Sequence, residues 1–145
     1  LDVVHHSQFI DELINEKKIQ PKPYIDEDIT FHDPCYLGRH NNEYDAPRNV
    51  LQSVLKEGKI KEMEQSKSES FCCGAGGGNM WYEIKTGDRI NQNRVGQAVD
   101  TNAKTIAAAC NFCNIMLVPM FPIELSLKAG YFCSTNTKSI RTKTK

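Results

Sequence analysis

The sequence lacks an excess of either charge: 18 Lys and Arg balance 18 Asp and Glu, for a formal net charge of zero. A general nucleic-acid binder needs a basic stripe to neutralise phosphates, so that class is disfavoured. No apolar run approaches the length that spans a bilayer. The opening "LDVVHHSQF" has neither a basic n-region nor an apolar h-region, so it is no secretory signal. It also lacks a starting Met, and the expectation is a chain cut from a longer protein. Aromatic residues make up only 8%, with a single Trp. The glycine run at 74–78 is not followed by Gly-Lys-Ser/Thr, which excludes a phosphate-binding P-loop, and a dinucleotide fingerprint is poorly matched. No Ser–His–Asp set and no paired carboxylates suited to hydrolysis stand out. What remains is an ordinary globular composition, 39% hydrophobic and 25% charged over 145 residues. That length fits one domain able to bury its core without disulfides.

Against this plain background stand six cysteines. Without a secretion signal they point to a reducing, cytoplasmic compartment, where clustered thiols are more often metal ligands or redox centres than structural bridges. Five of them form a pattern: Cys35, then 36 residues, the adjacent pair Cys72-Cys73, another 36 residues, and Cys110-x-x-Cys113. A soft thiolate cage suits zinc, copper(I) or an iron–sulfur cluster. A structural zinc and a cubane cluster each take four protein ligands, so one thiol of five is left over. Adjacent side chains diverge, which suits neighbouring atoms of a larger cluster better than one zinc. Gly74, Gly76, Gly77 and Gly78 let the backbone adopt positive φ and approach a bound group, and the exposed N–H groups of such a turn attract an anion.

The rest of the chain alternates strands and helices. "VVHH" reads as the end of a short buried strand. Ser7 is a candidate cap for a helix whose apolar stripe is Phe9, Ile10, Leu13 and Ile14, ended by Pro21 and Pro23. Ile29–Phe31 favours a strand that Pro34 ends just before Cys35. "YDAPRNVLQSVLKEG" is a helix with Asp45 as cap and Gly58 as stop. "KIKEME" is a weak strand. Residues 88–103 form a helix with Ile90, Arg94, Val95, Ala98 and Val99 along one side, and "KTIAAAC" is a buried strand ending at Cys110. "NFCNIML" then starts a short helix. The predicted class is α/β, a mostly parallel sheet flanked by helices. Ligands bind beyond the carboxyl edge of such sheets. Cys35 and Cys110 each follow a strand directly, and the 72/73 pair follows another after a polar loop. All five thiols should gather at that edge.

The segments "HHSQF", "FHDPCYLGRHNNEYDAPR", "SFCCGAGGGNMW" and "ACNFC" resemble the cysteine-rich CCG domain of heterodisulfide reductases and related iron–sulfur oxidoreductases. They are similar in particular to the C-terminal CCG domain of enzymes that work with electron-transfer flavoprotein. The resemblance covers roughly residues 3–118. It implies an oxidoreductase domain that carries electrons through a [4Fe–4S] cluster. Such a cluster can be non-cubane, held by Cys35, Cys72, Cys73, Cys110 and Cys113. Some domains of this family bind zinc instead. The implied partners are electron-transfer flavoprotein or a flavin dehydrogenase and a quinone-reducing module. The implied location is cytoplasmic, or the inner face of the membrane through the parent protein.

The domain is expected to occupy residues 1–118, with 119–145 an atypical, poorly ordered tail. After Glu124 that tail carries five basic residues and no acidic one. Its sequence does not match the family, Pro119 and Pro122 interrupt the family's helix, and the family's final strand has no clear counterpart.

Several residues near the cysteines carry two readings. His32 reads equally as a donor to sulfur and as packing. His40 reads as a surface residue, and His5 and His6 lie near the site edge. Arg39 either offsets cluster charge or is a solvated loop cation. Met80 and Trp81 either shield the site or pack in the core, the second reading being favoured. The carboxylate of Asp33 suits accepting backbone N–H bonds in its loop. Cys133 lies outside the pattern. Two further functions stand beside the electron carrier. One is a zinc-binding structural or docking module, and the other is a thiol–disulfide exchanger on Cys110 and Cys113.

Overall fold

The structure, a computed structural model, describes residues 1–82, 86–117 and the backbone of 130–131. The elements run α1 (His6–Asn15), β1 (Ile29–His32), α2 (Asp45–Val54), β2 (Ile60–Lys61), α3 (Ile90–Asp100), β3 (Thr105–Ala108), α4 (Asn111–Leu117) and β4 (Gly130–Tyr131). The strands form one parallel sheet in the order β2-β1-β3-β4. β1 and β3 are in register from Ile29 opposite Thr105 to His32 opposite Ala108.

Alternation along the central strands builds two cores. Ile29, Phe31 and Ala107 face Leu51 and Leu55 of the α2 segment. Ile106 and Ala108 face the other way, into a cluster with Val95 and Ala98 of α3 and Cys113 and Leu117 of α4. α1 packs on α2, and α3 on α4. By the same two-residue period, Thr30 and His32 point to the side of α3. Helices on both faces of a parallel sheet are the α/β arrangement expected from the sequence.

Local details differ from the sequence reading. Residues 1–5 form no strand, and Val3 and Val4 are 86% and 60% exposed. β-Prone residues without a neighbouring strand gain no ladder. α1 is capped by His5, whose Nδ1 accepts the Ser7 N–H at 3.2 Å, while Gln8 Oε1 accepts the His5 N–H at 3.0 Å. Ser7 itself lies inside the helix, fully buried. Phe9 is half exposed, so the apolar stripe of α1 is only partly covered. At α2, Glu43 Oε1 takes the N–H groups of Asp45 and Ala46 at 3.1 and 2.9 Å. The Asp45 side chain makes no capping bond there, because an acceptor just outside the helix does its work. α2 ends at Val54, before Gly58. The role of Gly58 is close approach instead: a Cβ there would lie 2.0 Å from the Glu27 carbonyl oxygen. β4 pairs with β3 through Gly130 and Tyr131, so the sheet does have a strand where the sequence left none in view. Pro119, Pro122 and Cys133 lie outside the described residues.

Candidate metal centre

β1 and β3 end side by side, and the chain leaves both at the same edge. The loop after β1 carries Cys35, and the turn after β3 carries Cys110 one residue before α4. Cys113 sits in the first turn of α4, buried in the core with Cys73. The sulfurs of Cys73 and Cys113 lie within 4.8 Å of each other, and the Cys110 thiol interacts with that of Cys113. Cys35 and Cys72 line the same small pocket as Cys73 and Cys113, with His32, Arg39 and Ser70 also in its wall. Cys35 and Cys110 in turn line a cleft of about 500 Å³ with Val3, Val4, His5 and Gln8. Thiols from three separate segments therefore converge at the carboxyl edge of the sheet.

The electrostatics favour negative sulfur. Contact with Cys113 holds the Cys73 thiol well down, to about 4, against the opposing effect of burial. A hydrogen bond with His32 and the Ala75 N–H act in the same direction. Cys110 is lowered to about 6, first by Cys113 and then, against burial, by the N–H groups of Cys113 and Phe112. Cys113 is raised, because it shares its proton with both neighbours and is buried. The Gly74 N–H points at Cys72 Sγ, 3.2 Å away. Burial lowers His32, partly offset by its bond to Cys73.

Two buried arginines brace this edge, and neither stands out in the sequence as more than a member of a helix stripe. Arg48 of α2 forks onto Asp33, with bonds of 2.7 and 2.9 Å, and onto Glu62, with bonds of 2.7 and 2.9 Å. Burial alone would lower Arg48; the carboxylates of Glu62 and Asp33 more than offset it and raise it. Asp33 Oδ2 also accepts the Lys67 N–H at 2.8 Å, the backbone contact its sequence position suggested. The Asp33 carbonyl accepts the Ser70 hydroxyl at 3.3 Å. Asp33 thus ties the Cys35 loop to the segment that leads into Cys72. Arg94 of α3 has no exposed surface and reaches His32, Ser70 and Gln65. Burial brings it down to about 10.

The glycines divide. Gly74, Gly77 and Gly78 have φ of 88°, 65° and 77°. Gly76 does not take a positive φ; the left-handed kink falls on Gly77 and Gly78 instead. Gly74 is also hemmed in: a Cβ would meet Ile90 Cβ at 3.2 Å. Arg39 hydrogen-bonds the Ser70 carbonyl through its guanidinium, so it is anchored at the pocket and is not a free loop cation. His40 is exposed and rests on Tyr36, with ring centroids 4.9 Å apart. Trp81 is 79% exposed and belongs to neither core cluster. Met80 is partly buried.

His32, Cys73 and Cys113 offer ligand atoms within 4.8 Å of one another. Four thiols lining one pocket, with Cys110 beside Cys113, give a donor set that fits a soft metal or an iron–sulfur cluster. Among the described residues no helix is long and apolar enough to cross a membrane.

The sequence has relatives among known proteins. The chain is similar to the probable iron-sulfur-binding oxidoreductase FadF of Bacillus subtilis, 45% identical over 116 residues, covering 80% of this chain and 16% of FadF. It is 41% identical over 123 residues to the EtfAB:quinone oxidoreductase of Syntrophomonas wolfei, covering 80% of this chain and 17% of that protein. A third relative is a subunit of the dihydromethanophenazine:CoB--CoM heterodisulfide reductase of Methanosarcina barkeri. It is 42% identical over 112 residues, covering 77% of this chain and 27% of its own. The chain thus spans well under a third of the length of these relatives. No solved structure matches it. The profile of the family described as "Cysteine-rich domain" (CCG) matches residues 29–118, a stretch that contains β1, the paired cysteines and α4. The chain belongs to this CCG family of cysteine-rich domains, and its relatives include a probable iron-sulfur-binding oxidoreductase, a quinone oxidoreductase and a heterodisulfide reductase subunit.

Proposed function

We propose that this chain is an electron-transfer oxidoreductase domain that holds a [4Fe–4S] cluster, non-cubane in form, on Cys35, Cys72, Cys73, Cys110 and Cys113. One observation carries the reading: sulfurs from three segments distant in sequence meet at one sheet edge, one more than a tetrahedral zinc uses. Such a cluster, when bound, takes up and gives back one electron at a time.

The residues around it have identifiable tasks. Cys73 and Cys110 are held ready as thiolates, the state in which sulfur binds metal. The N–H groups of Gly74, Ala75, Phe112 and Cys113 donate toward sulfur and temper its charge. Asp33 and Arg48 fix the loop that presents Cys35. The core around Val95, Ala98 and Leu117 keeps water from the inner sulfurs. The redox partners fitting this reading are electron-transfer flavoprotein or a flavin dehydrogenase on one side and a quinone-reducing module on the other. The domain proper is residues 1–118 and works as part of a larger redox assembly.

A zinc-binding docking module is the second reading, supported by the compact group of His32, Cys73 and Cys113. Anaerobic purification separates the two. A brown chain with iron and acid-labile sulfide is expected, with Cys73→Ser losing most of both and Cys133→Ser retaining them. A colourless chain carrying one zinc and no labile sulfide would overturn the cluster.

A further inference from the structure

Arg94 is a fully buried guanidinium with no carboxylate on any of its donors among the described residues. Nε donates to His32 Nδ1 at 2.9 Å. One terminal nitrogen donates to the Gln65 carbonyl at 2.7 Å and to Gln97 Oε1 at 2.6 Å, and the other to Ser70 Oγ at 3.1 Å. Every one of these acceptors is neutral. The nearby carboxylates, Asp33 and Glu62, are committed to the Arg48 fork. A buried charge needs a compensating anion. Through space, Asp33 acts on Arg94 most strongly, followed by the sulfurs of Cys113 and Cys73.

The contact with His32 has a second effect. A guanidinium only donates, so His32 Nδ1 must present its lone pair and the ring proton must sit on Nε2. That proton lies toward the sulfur centre, where a His32 ring nitrogen and Cys73 Sγ are within 4.8 Å of each other. A histidine that ligates a metal ordinarily donates its other N–H to an acceptor, which fixes a lone pair on the ligating nitrogen. Arg94 imposes the reverse arrangement.

We propose that Arg94 is a positioning residue of the sulfur centre: it locks His32 as an Nε2–H donor to Cys73, removes His32 from the ligand set, and supplies the buried positive charge that favours the reduced centre. The redox part of this rests on the cluster reading above, whereas the tautomer part does not.

The test uses the 145-residue chain labelled with ¹⁵N-histidine, together with its Arg94→Met and Arg94→Lys variants. Long-range ¹H–¹⁵N correlation reads the His32 tautomer. In the wild-type chain the proton is expected on Nε2 alone, and in Arg94→Met it redistributes to Nδ1. Anaerobic redox titration of the loaded chains is expected to show Arg94→Met disfavouring the reduced form about tenfold, near 59 mV for a one-electron couple. Arg94→Lys should recover most of that shift. A wild-type His32 protonated on Nδ1, or an Arg94→Met variant with full iron and sulfide and an unchanged potential, overturns the proposal. Where Arg94→Met fails to fold, the wild-type tautomer and the Arg94→Lys potential still decide it. A chain that takes up zinc alone refutes the cluster reading. In that chain an Nε2–H tautomer still supports the lock, and zinc bound to His32 Nε2 refutes it.

Discussion

The guanidinium of Arg48 meets the carboxylate of Asp33 in two parallel bonds, with side chains only 11% and 2% exposed. The pair joins α2 to the loop that carries Cys35, and Glu62 joins from a more open position, 39% exposed. Removing one partner strands a buried charge. Arg48→Met and Asp33→Asn should each cost about 3–5 kcal/mol in urea unfolding, with the double variant costing clearly less than their sum. Glu62→Ala should cost no more than about 1 kcal/mol. Single losses as small as that of Glu62 would show the fork to be dispensable.

Two glycines have different reasons to be irreplaceable. Gly74 sits at φ 88° against Ile90, so Gly74→Ala should lose about 1–3 kcal/mol. Gly58 faces the Glu27 carbonyl with no room for a methyl, and Gly58→Ala should be more damaging still. Gly76→Ala, at an open site with an ordinary φ, should stay within about 0.5 kcal/mol of the parent. Thermal unfolding of the three variants gives the ranking, and equal losses would refute it.

Thr30 offers the opposite opportunity. Its hydroxyl is the one buried side-chain polar atom without a hydrogen-bond partner among the described residues. Thr30→Val exchanges that stranded group for a methyl of similar shape. It should raise stability by about 1 kcal/mol in chemical denaturation. A loss of stability would mean that the hydroxyl is satisfied in solution.

Acidity at Cys110 is readable by alkylation. In the reduced, metal-free chain its reaction with iodoacetamide should reach half its maximal rate near pH 6, against an ordinary value of 9.0 for a free thiol. The linkage sign follows. A folded-state value below the unfolded one contributes stability fully present above pH 9, which fades as the pH falls toward 6. Cys73 acts in the same direction down to about pH 4. Cys113, raised by its neighbours, works oppositely and withdraws stability above pH 9. A half-maximal rate for Cys110 near pH 9 would contradict its hydrogen bonds to Cys113 and Phe112.

Much of this architecture is legible in the residues. Ile29–Phe31 and Thr105–Ala108 announce central strands by composition, and cysteines placed just after them fall at one edge by topology alone. Caps are harder to read, because His5 and Glu43 do with a ring nitrogen and a carboxylate what the nearer Ser7 and Asp45 are expected to do. "VVHH" has strand composition but no partner strand among the described residues. Trp81 is a core residue by type, yet it follows the glycine turn and is exposed. Arg94 is visible as a polar residue in an apolar stripe. Its acceptors at 32, 65, 70 and 97 are scattered through the chain, and only folding collects them.

The position of β1 between β2 and β3 bears on how the molecule is made. The pairing of β3 with β1 closes a long loop of intervening chain. Non-local closures of this kind are slow. Until that pairing forms, Cys35 and Cys110 have no common neighbourhood. A cofactor that bridges these thiols therefore finds its seat only once β3 has paired with β1.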